Sequence, residues 1–233
     1  MPTSKNVILL CGGMSSRIID HIKLPKPMYK IDGLSILENN INLLIENNID
    51  EKDIYVNIPI KHEQFYKELI DKTKCNFIYE DSAIGTAGSV KKITSLYNLN
   101  SGYVIYGDQF YKKNFLNEIL NFEVLRNTIF VIKHGEVKKS GVAFYDNENV
   151  MCQFKEKPQK LNNINNLNYG INIGVYFFES FNFLNRKLDK KILDFGIDIF
   201  PNLQNYDLKI KVKEIKSNQY PIFIDDIERL GEV

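Results

Sequence analysis

Short apolar runs alternate with helical patterns through the first half of this chain. Apolar residues fill positions 54–58, 76–79 and 103–106, which predicts three strands. Helical spacing of apolar side chains between these runs predicts helices at 36–45, 62–71 and 86–97. Strands and helices in alternation favour an α/β fold with a mixed, mostly parallel sheet flanked by helices. In such sheets ligands bind at the carboxyl ends of the strands.

The second half changes to closely spaced strands. Runs at 128–132, 141–145, 150–154 and 171–178 read as strands, with a hairpin turn at 146–149. Later strands are predicted at 208–215 and 222–224, followed by a short helix at 226–230. No linker or internal repeat separates this β-rich portion from the first half. The sequence therefore predicts a single domain over 1–233, with halves at 1–125 and 126–233.

Charge and cysteine content exclude several classes of protein. The 233 residues carry 30 Lys and Arg against 29 Asp and Glu, so no overall charge attracts nucleic acid or an anionic membrane. Cys11, Cys75 and Cys152 form no CxxC pair, which argues against a disulfide framework or a zinc site. We find no signal peptide and no apolar run of membrane length, so we expect a cytoplasmic protein.

The first predicted strand ends in a loop that is rich in phosphate ligands. Gly12 and Gly13 allow the backbone to approach an anion closely and to aim N–H groups at it. Ser15 and Ser16 add hydroxyl donors and Arg17 adds a planar fork for phosphate oxygens. Lys26 lies nine residues further on as a mobile point charge. A plain tight turn with two glycines is the alternative reading of the loop.

Two strand ends and one charged triplet complete the candidates. Asp108 follows the strand at 103–106 and Asp225 follows the strand at 222–224, where a carboxylate is either a turn residue or a hard oxygen ligand for Mg²⁺. Asp226 competes with Asp225 for this role. The triplet Glu156-Lys157-Pro158 also follows a strand, and taken alone it is typical of a solvated face.

Taken together, these stretches resemble the motifs of the sugar nucleotidyltransferase family. Gly12-Gly13-Met14-Ser15-Ser16-Arg17 resembles its Gly-Gly-x-Gly-x-Arg loop, with Ser15 in place of the third glycine. Pro25-Lys26-Pro27-Met28 matches the motif that follows this loop in the family. Gly85-Thr86-Ala87-Gly88, Glu156-Lys157-Pro158 and the strand with Asn172 and Gly174 resemble its later motifs, in the family's order.

The resemblance implies a fold, a reaction and residue roles. The fold would be that of the nucleotide-diphospho-sugar transferases, and a sugar 1-phosphate would attack the α-phosphorus of a nucleoside triphosphate. It assigns Arg17 to the leaving phosphates, Lys26 to the reacting phosphate and Lys157 to the acceptor phosphate. It assigns Mg²⁺ as the cofactor, held by Asp108 and Asp225.

The resemblance also divides the remaining site residues between the two substrates. The nucleotide set comprises Leu10, Cys11, Gly12, Gly13, Met14, Ser15, Ser16, Gly85, Thr86, Ala87, Gly88 and Asp108. The acceptor set comprises Gly141, Glu156, Lys157, Asn172 and Gly174. Residues 1–125 would thus form the nucleotide-binding half and residues 126–233 the acceptor-binding half.

Among family members the chain is most similar to short guanylyltransferases that act on heptose or mannose 1-phosphate. This favours GTP as the donor and a role in the synthesis of capsule or lipopolysaccharide. Two alternatives stay open: a CTP-dependent cytidylyltransferase for a sugar phosphate or a small phosphorylated amine or amide, and an inactive nucleotide-sensing regulatory subunit. A homodimer is also left open. A dinucleotide-dependent oxidoreductase is disfavoured because no Gly-x-Gly-x-x-Gly follows the first strand.

Overall fold

The computed structural model describes residues 5–13, 23–124, 126–161, 167–186 and 190–216. The chain forms two compact units. The first comprises Met1–Ala83, Ile105–Leu120 and Gln219–Val233, and the second comprises Ile84–Val104 and Asn121–Asn218. Arg17 and Asp225 lie outside the described residues, as do Met14, Ser15 and Ser16.

The described strands and helices follow the predicted alternation and then the predicted run of strands. The strands are β1 Val7–Leu10, β2 Lys30–Ile31, β3 Leu34–Ser35, β4 Ile54–Pro59, β5 Asn76–Glu80, β6 Gly102–Tyr106, β7 Thr128–Ile132, β8 Val142–Tyr145, β9 Met151–Lys155, β10 Asn168–Phe178 and β11 Lys211–Glu214. The α-helices are α1 Ile36–Glu46, α2 Glu63–Lys72, α3 Thr86–Tyr97 and α4 Lys113–Leu120. The mixed α/β class expected from the sequence is confirmed.

In the first unit, β1, β4 and β5 pair in parallel. Val7 of β1 lies opposite Ile54 of β4, and Tyr55 of β4 lies opposite Asn76 of β5. All residues of β1 and β4 are buried, as expected for parallel strands that are covered on both faces. The parallel pairing brings the carboxyl ends of these three strands to one edge of the sheet.

Helix α1 supports the loop that follows β6 in the first unit. The Ser35 hydroxyl caps this helix by accepting a hydrogen bond from the Glu38 N–H at 3.1 Å. Further along α1, the Asn40 side-chain amide donates to the Gln109 carbonyl at 2.8 Å. Gln109 directly follows Asp108, so this buried contact fixes the backbone on which the candidate metal ligand stands.

The second unit is mainly antiparallel. β10 pairs with β7 and β8, β8 pairs with β9, and β11 runs parallel to β7. The predicted hairpin turn between β8 and β9 is confirmed: Asp146 Oδ1 accepts hydrogen bonds from Glu148 N at 2.9 Å and from Val150 N at 2.8 Å. Buried aromatic rings pack between this sheet and the later helices, with Tyr176 and Phe200 at 5.0 Å between centroids.

Some predicted boundaries were wrong. The strand predicted at 208–215 is shorter, because Asp207 adopts a left-handed conformation (φ 51°) that ends the preceding helical segment Phe200–Tyr206. β4 extends one residue beyond the predicted range 54–58 and ends at Pro59. The π-helix Phe195–Ile199 and α4 were not predicted. The strand predicted at 222–224 and the helix predicted at 226–230 lie outside the described residues.

Length and polarity of the helices bear on membrane association. Among the helices in the described part of the chain, none is both long and apolar enough to cross a bilayer.

Candidate functional site

The glycine loop after β1 packs against two polar side chains from neighbouring strands. Cys11 N–H donates to Asn57 Oδ1 on β4 at 2.9 Å. A Cβ atom on Gly12 would lie 2.3 Å from Asn57 Nδ2 and 2.8 Å from Glu80 Oε2, so only glycine fits between them. At Gly13, by contrast, no heavy atom of the described residues lies within 4 Å of the Cβ position. The candidate nucleotide loop therefore begins where three parallel strands end.

Glu80, the last residue of β5, is a site residue that the sequence analysis missed. The residue is 5% exposed, and its Oε1 is buried without a hydrogen-bond partner among the described residues. Burying a carboxylate without a donor is costly, which marks this oxygen as a candidate ligand contact. The available signal was its position, at the end of a predicted strand and five residues before Gly85.

The first unit also brings Lys26 and Asp108 together. Lys26 Nζ lies 3.5 Å from Asp108 Oδ2, and the two side chains are 8% and 34% exposed. Lys26 opens a short 3₁₀ segment, Lys26–Met28, and Asp108 follows Gly107 at the end of β6. A cation and a carboxylate that lie this close, one of them buried, form a preorganised pair at the strand ends.

The buried Cys11 side chain packs against Gly107, the residue before Asp108. A Cβ atom on Gly107 would lie 2.4 Å from the Cys11 sulfur, which explains why a glycine precedes Asp108. Burial raises the pKa of the Cys11 thiol well above its ordinary value, and the Asp108 carboxylate raises it further. The thiol therefore stays neutral and is no nucleophile at neutral pH.

The predicted magnesium site is described only in part. Asp108 offers a partly exposed carboxylate, whose hard oxygens are the donors that Mg²⁺ prefers. Within the described ranges, no group of three or more His, Cys, Asp or Glu side chains is arranged to hold a metal ion. Asp225 and its alternative Asp226 lie outside those ranges, so the choice between them stays a prediction.

In the second unit, the turn Gly85-Thr86-Ala87-Gly88 is held by the segment that starts at Leu193. Gly85 has a φ of +81°, and a Cβ there would lie 2.3 Å from the Leu193 carbonyl oxygen. Gly88 N–H donates to that same oxygen at 2.9 Å. The Thr86 hydroxyl donates to Asp194 Oδ2 at 3.0 Å. The turn could be recognised in the sequence, but Asp194 could not, because it lies more than a hundred residues from Thr86 along the chain.

Glu156 fits between two glycines of the second unit. Cβ atoms on Gly141 and on Gly196 would lie 2.9 Å and 2.6 Å from Glu156 Oε2. Burial raises the pKa of the Glu156 carboxyl, the Lys157 ammonium lowers it, and Asp194 raises it. Lys157 Nζ lies 3.9 Å from Glu156 Oε1 and its side chain is 57% exposed, so it can reach an anion in solvent.

A bulge in β10 places the two remaining acceptor candidates. The pairing of β10 with β7 shifts register between Asn172 and Tyr176, and Gly174 lies inside this bulge with a φ of +67°. Asn172 Oδ1 accepts from Gly174 N at 3.0 Å, and Asn172 N–H donates to the Gly141 carbonyl at 2.9 Å. All five acceptor candidates therefore lie in the second unit: Gly141, Glu156, Lys157, Asn172 and Gly174.

The ends of the parallel strands carry a glycine loop and a lysine–aspartate pair. This is an α/β protein whose candidate ligand site lies at the carboxyl ends of the strands, where ligands bind in such sheets. The sequence model of the nucleotidyl transferase family matches residues 6–217, and the chain belongs to that family. The family resemblance inferred from the motifs is confirmed.

Two curated relatives are similar over most of this chain. The bifunctional protein GlmU of Methanococcus aeolicus is 29% identical over 183 residues, which cover 75% of this chain and 40% of that protein. The mannose-1-phosphate guanylyltransferase catalytic subunit beta of Drosophila pseudoobscura pseudoobscura is 27% identical over 184 residues, which cover 73% of this chain and 47% of that protein. The chain therefore spans less than half the length of either relative.

A solved structure has the same fold. The inositol-1-phosphate CTP transferase from T. maritima superposes with a TM-score of 0.76, covering 98% of this chain and 92% of that one. Sequence identity is 14%, so this similarity concerns the fold alone.

Proposed function

We propose that this chain is a nucleotidyltransferase that joins a nucleoside triphosphate to a sugar 1-phosphate and releases pyrophosphate. The α-phosphorus gains a bond to the acceptor phosphate oxygen and loses its bond to the β-phosphate. Membership of the nucleotidyl transferase family supports this reaction. The pair of Lys26 and Asp108 at the strand ends is the observation that fits it best.

The reaction brings two polyanions together, so catalysis would rest on positioned cations. The buried Lys26 ammonium would stabilise the charge that grows on the reacting phosphate. Asp108 would hold Mg²⁺ together with Asp225, and the ion would neutralise phosphate charge when bound. Arg17 would bind the departing phosphates. Lys157, half exposed at its strand end, would bind the acceptor phosphate.

Glu80 favours guanine as the base of the nucleotide. A carboxylate is an acceptor only, and it pairs best with two adjacent N–H donors. Guanine presents two such donors, N1–H and the 2-amino group, whereas each of the other three bases presents a single donor group next to at least one acceptor. Glu80 Oε1 is buried without a hydrogen-bond partner among the described residues, and Glu80 Oε2 borders Gly12, which supports GTP over CTP.

We propose mannose or heptose 1-phosphate as the acceptor. The Drosophila relative is named as a mannose-1-phosphate guanylyltransferase, which supports this choice. Next to the Lys157 ammonium, Glu156 would accept hydrogen bonds from sugar hydroxyls, and Asn172 would exchange hydrogen bonds with them. The product would be a nucleotide-activated sugar for a surface glycan, such as capsule or lipopolysaccharide.

We also propose that the protein works in the cytoplasm. All three cysteines are free thiols, which suits a reducing compartment. A homodimer stays a prediction.

The proposed reaction is tested by measuring pyrophosphate release from GTP, CTP, ATP and UTP in turn. Each is paired with mannose 1-phosphate, a heptose 1-phosphate, phosphocholine and no acceptor. We expect acceptor-dependent release that is fastest with GTP and a sugar 1-phosphate. Release only with CTP would establish the cytidylyltransferase alternative. Binding of nucleotide without release for any pair would favour a regulatory subunit.

The role of Glu80 is tested by Glu80→Gln, which replaces one acceptor with a donor. We expect kcat/KM for GTP to fall about tenfold or more, because a bidentate contact to a base discriminates by about 1–3 kcal/mol. Asp81→Asn removes the same charge from the exposed neighbouring residue and is the control. Equal kcat/KM for GTP in Glu80→Gln and in the control would exclude Glu80 from base recognition.

A further inference from the structure

A basic cavity of about 360 Å³ lies within the second unit, outside the acceptor cluster. One wall is a face of α3 that carries Gly88, Lys91 and Ser95, which recur at three- and four-residue spacing. Lys191 and Leu193 belong to the other wall. The volume is within the range of pockets that bind small molecules.

Positive charge dominates this cavity. Its described lining contains five cationic side chains and no acidic one: Lys91, Lys92, Arg186, Lys190 and Lys191. Carboxylates outside the lining offset part of this charge, since Asp198 is hydrogen-bonded to Lys190 and Asp207 Oδ2 lies 3.4 Å from Arg186. The chain as a whole is almost neutral, so this concentration of charge is local. Cations that line one concave surface focus a field that attracts an anion.

The lining of the cavity includes residues whose backbone holds the turn at the start of α3. Gly88 N–H donates to the Leu193 carbonyl, and Leu193 N–H donates to the Ile84 carbonyl, both at 2.9 Å. All three of these residues line the cavity. The next residue, Asp194, accepts the hydrogen bond from Thr86. A molecule bound in the cavity would therefore contact the rear of the turn at Gly85-Thr86-Ala87-Gly88.

We propose that this cavity binds a small anion with two or more phosphate groups, and that the bound anion stiffens the turn. Several lysines from two segments of the chain suit several phosphate groups better than one. The concave shape and the near-neutral chain favour a small anion over a nucleic acid. An effect on nucleotide use follows if the turn binds nucleotide, and this part rests on the proposed function. The binding itself does not.

Calorimetric titration with inorganic triphosphate tests the binding. We expect Lys91→Ala/Lys191→Ala to weaken the affinity about tenfold or more, since each removed ammonium loses a close charge pair. The control is Lys138→Ala/Lys209→Ala, which removes the same charge from exposed positions of the same unit and should bind as the wild type does. Lys191→Ala alone, at an exposed position, should weaken binding in part and guards against misfolding of the double variant.

Further titrations separate this site from the proposed reaction site and test its preference for a small polyphosphate. Lys26→Ala should keep the binding that Lys91→Ala/Lys191→Ala loses, whether or not the proposed reaction is correct. Inorganic monophosphate should bind about tenfold or more weakly than triphosphate. Equal triphosphate affinity in the wild type and in Lys91→Ala/Lys191→Ala would overturn the proposal. A single-stranded oligonucleotide that bound the same lysines more tightly than triphosphate would overturn the choice of a small anion.

Amide hydrogen exchange tests the stiffening of the turn. With triphosphate, exchange at the Gly88 and Leu193 amides should slow in the wild type and in Lys138→Ala/Lys209→Ala, but not in Lys91→Ala/Lys191→Ala. This measurement needs no enzymatic activity. Unchanged exchange at both amides in saturated wild-type protein would contradict the proposed coupling.

Discussion

Lys26 Nζ lies 3.5 Å from Asp108 Oδ2, with the lysine side chain 8% exposed and the aspartate side chain 34% exposed. The buried ammonium is held by the carboxylate, and the carboxylate keeps a face toward solvent. This arrangement can present a cation and a metal ligand to one phosphate without any large movement of either residue. The first two predictions test the two members of this pair separately.

Lys26→Ala should reduce kcat about a hundredfold or more, because a preorganised charge partner of the reacting phosphate is lost. Lys30→Ala, at an exposed position four residues away, is the matched control and should keep wild-type kcat. Steady-state kinetics and melting temperature are measured for both. A melting temperature that falls in parallel with kcat would make Lys26 a structural residue instead.

Asp108→Asn should lower turnover by a similar factor, about a hundredfold, and raise the Mg²⁺ concentration needed for half activity. Asp81→Asn is the exposed control. Asp225→Asn should behave as Asp108→Asn does. Asp226→Asn should do much less, because adjacent residues that extend the predicted strand 222–224 would point to opposite sides. The measurement is a Mg²⁺ titration of turnover. If Asp226→Asn were the damaging change, the second ligand would be Asp226.

Gly12→Ala should lower the melting temperature and raise the KM for nucleotide. The added Cβ would lie 2.3 Å from Asn57 Nδ2 and 2.8 Å from Glu80 Oε2, and both side chains are buried. Gly13→Ala is the matched control for stability, because no atom of the described part of the chain lies within 4 Å of its Cβ position. Equal melting temperatures for the two variants would show that the strand ends are more loosely packed than described.

The raised pKa of Glu156 predicts that binding of the acceptor depends on pH. Burial raises the pKa of this carboxyl above its ordinary value of 4.5, and only the ionised form accepts hydrogen bonds at both oxygens. The KM for the acceptor should therefore rise as the pH falls through the raised pKa, while pH is still above about 4.5. Glu156→Gln should remove this dependence. A KM that changes with pH in the same way in both proteins would assign the titration to another group.

The same raised pKa has an opposite consequence for stability. The folded state binds the Glu156 proton more tightly than the unfolded state does, so stability contributed by this group falls as the pH rises through the raised pKa. At neutral pH the buried charge is a cost, and Glu156→Gln should melt no lower than the wild type. A clearly lower melting temperature would mean that the ionised carboxylate stabilises its surroundings.

The strand ends were predictable because local patterns define them. Apolar runs located β1, β4 and β5, and the two glycines after the first run marked Gly12 as a strand exit. Which strand ends meet was not predictable, since strand order is a long-range property. Glu80 was therefore missed, although it lies at the end of a correctly predicted strand. The Glu80 carboxylate lies beside Gly12 only because β4 pairs in parallel with both β1 and β5.

The second unit shows the same limit. The motif Gly85-Thr86-Ala87-Gly88 was legible in the sequence, but its support, Asp194, lies in a segment without a comparable pattern. That segment continues into the π-helix Phe195–Ile199, a rare element that no simple periodicity indicates. Likewise, the bulge around Gly174 follows from the register of β10 against β7, which the sequence of β10 does not contain.

Nucleotidyl transfer is tested most directly by the stoichiometry of its products. GTP and mannose 1-phosphate are incubated with Mg²⁺ and with wild-type protein, Lys26→Ala or Lys30→Ala, and the products are quantified by phosphorus NMR. We expect equal amounts of pyrophosphate and of a guanosine diphosphate sugar from the wild type and from Lys30→Ala, and almost none from Lys26→Ala. Inorganic phosphate with guanosine diphosphate, and no diphosphate sugar, from the wild type would contradict nucleotidyl transfer.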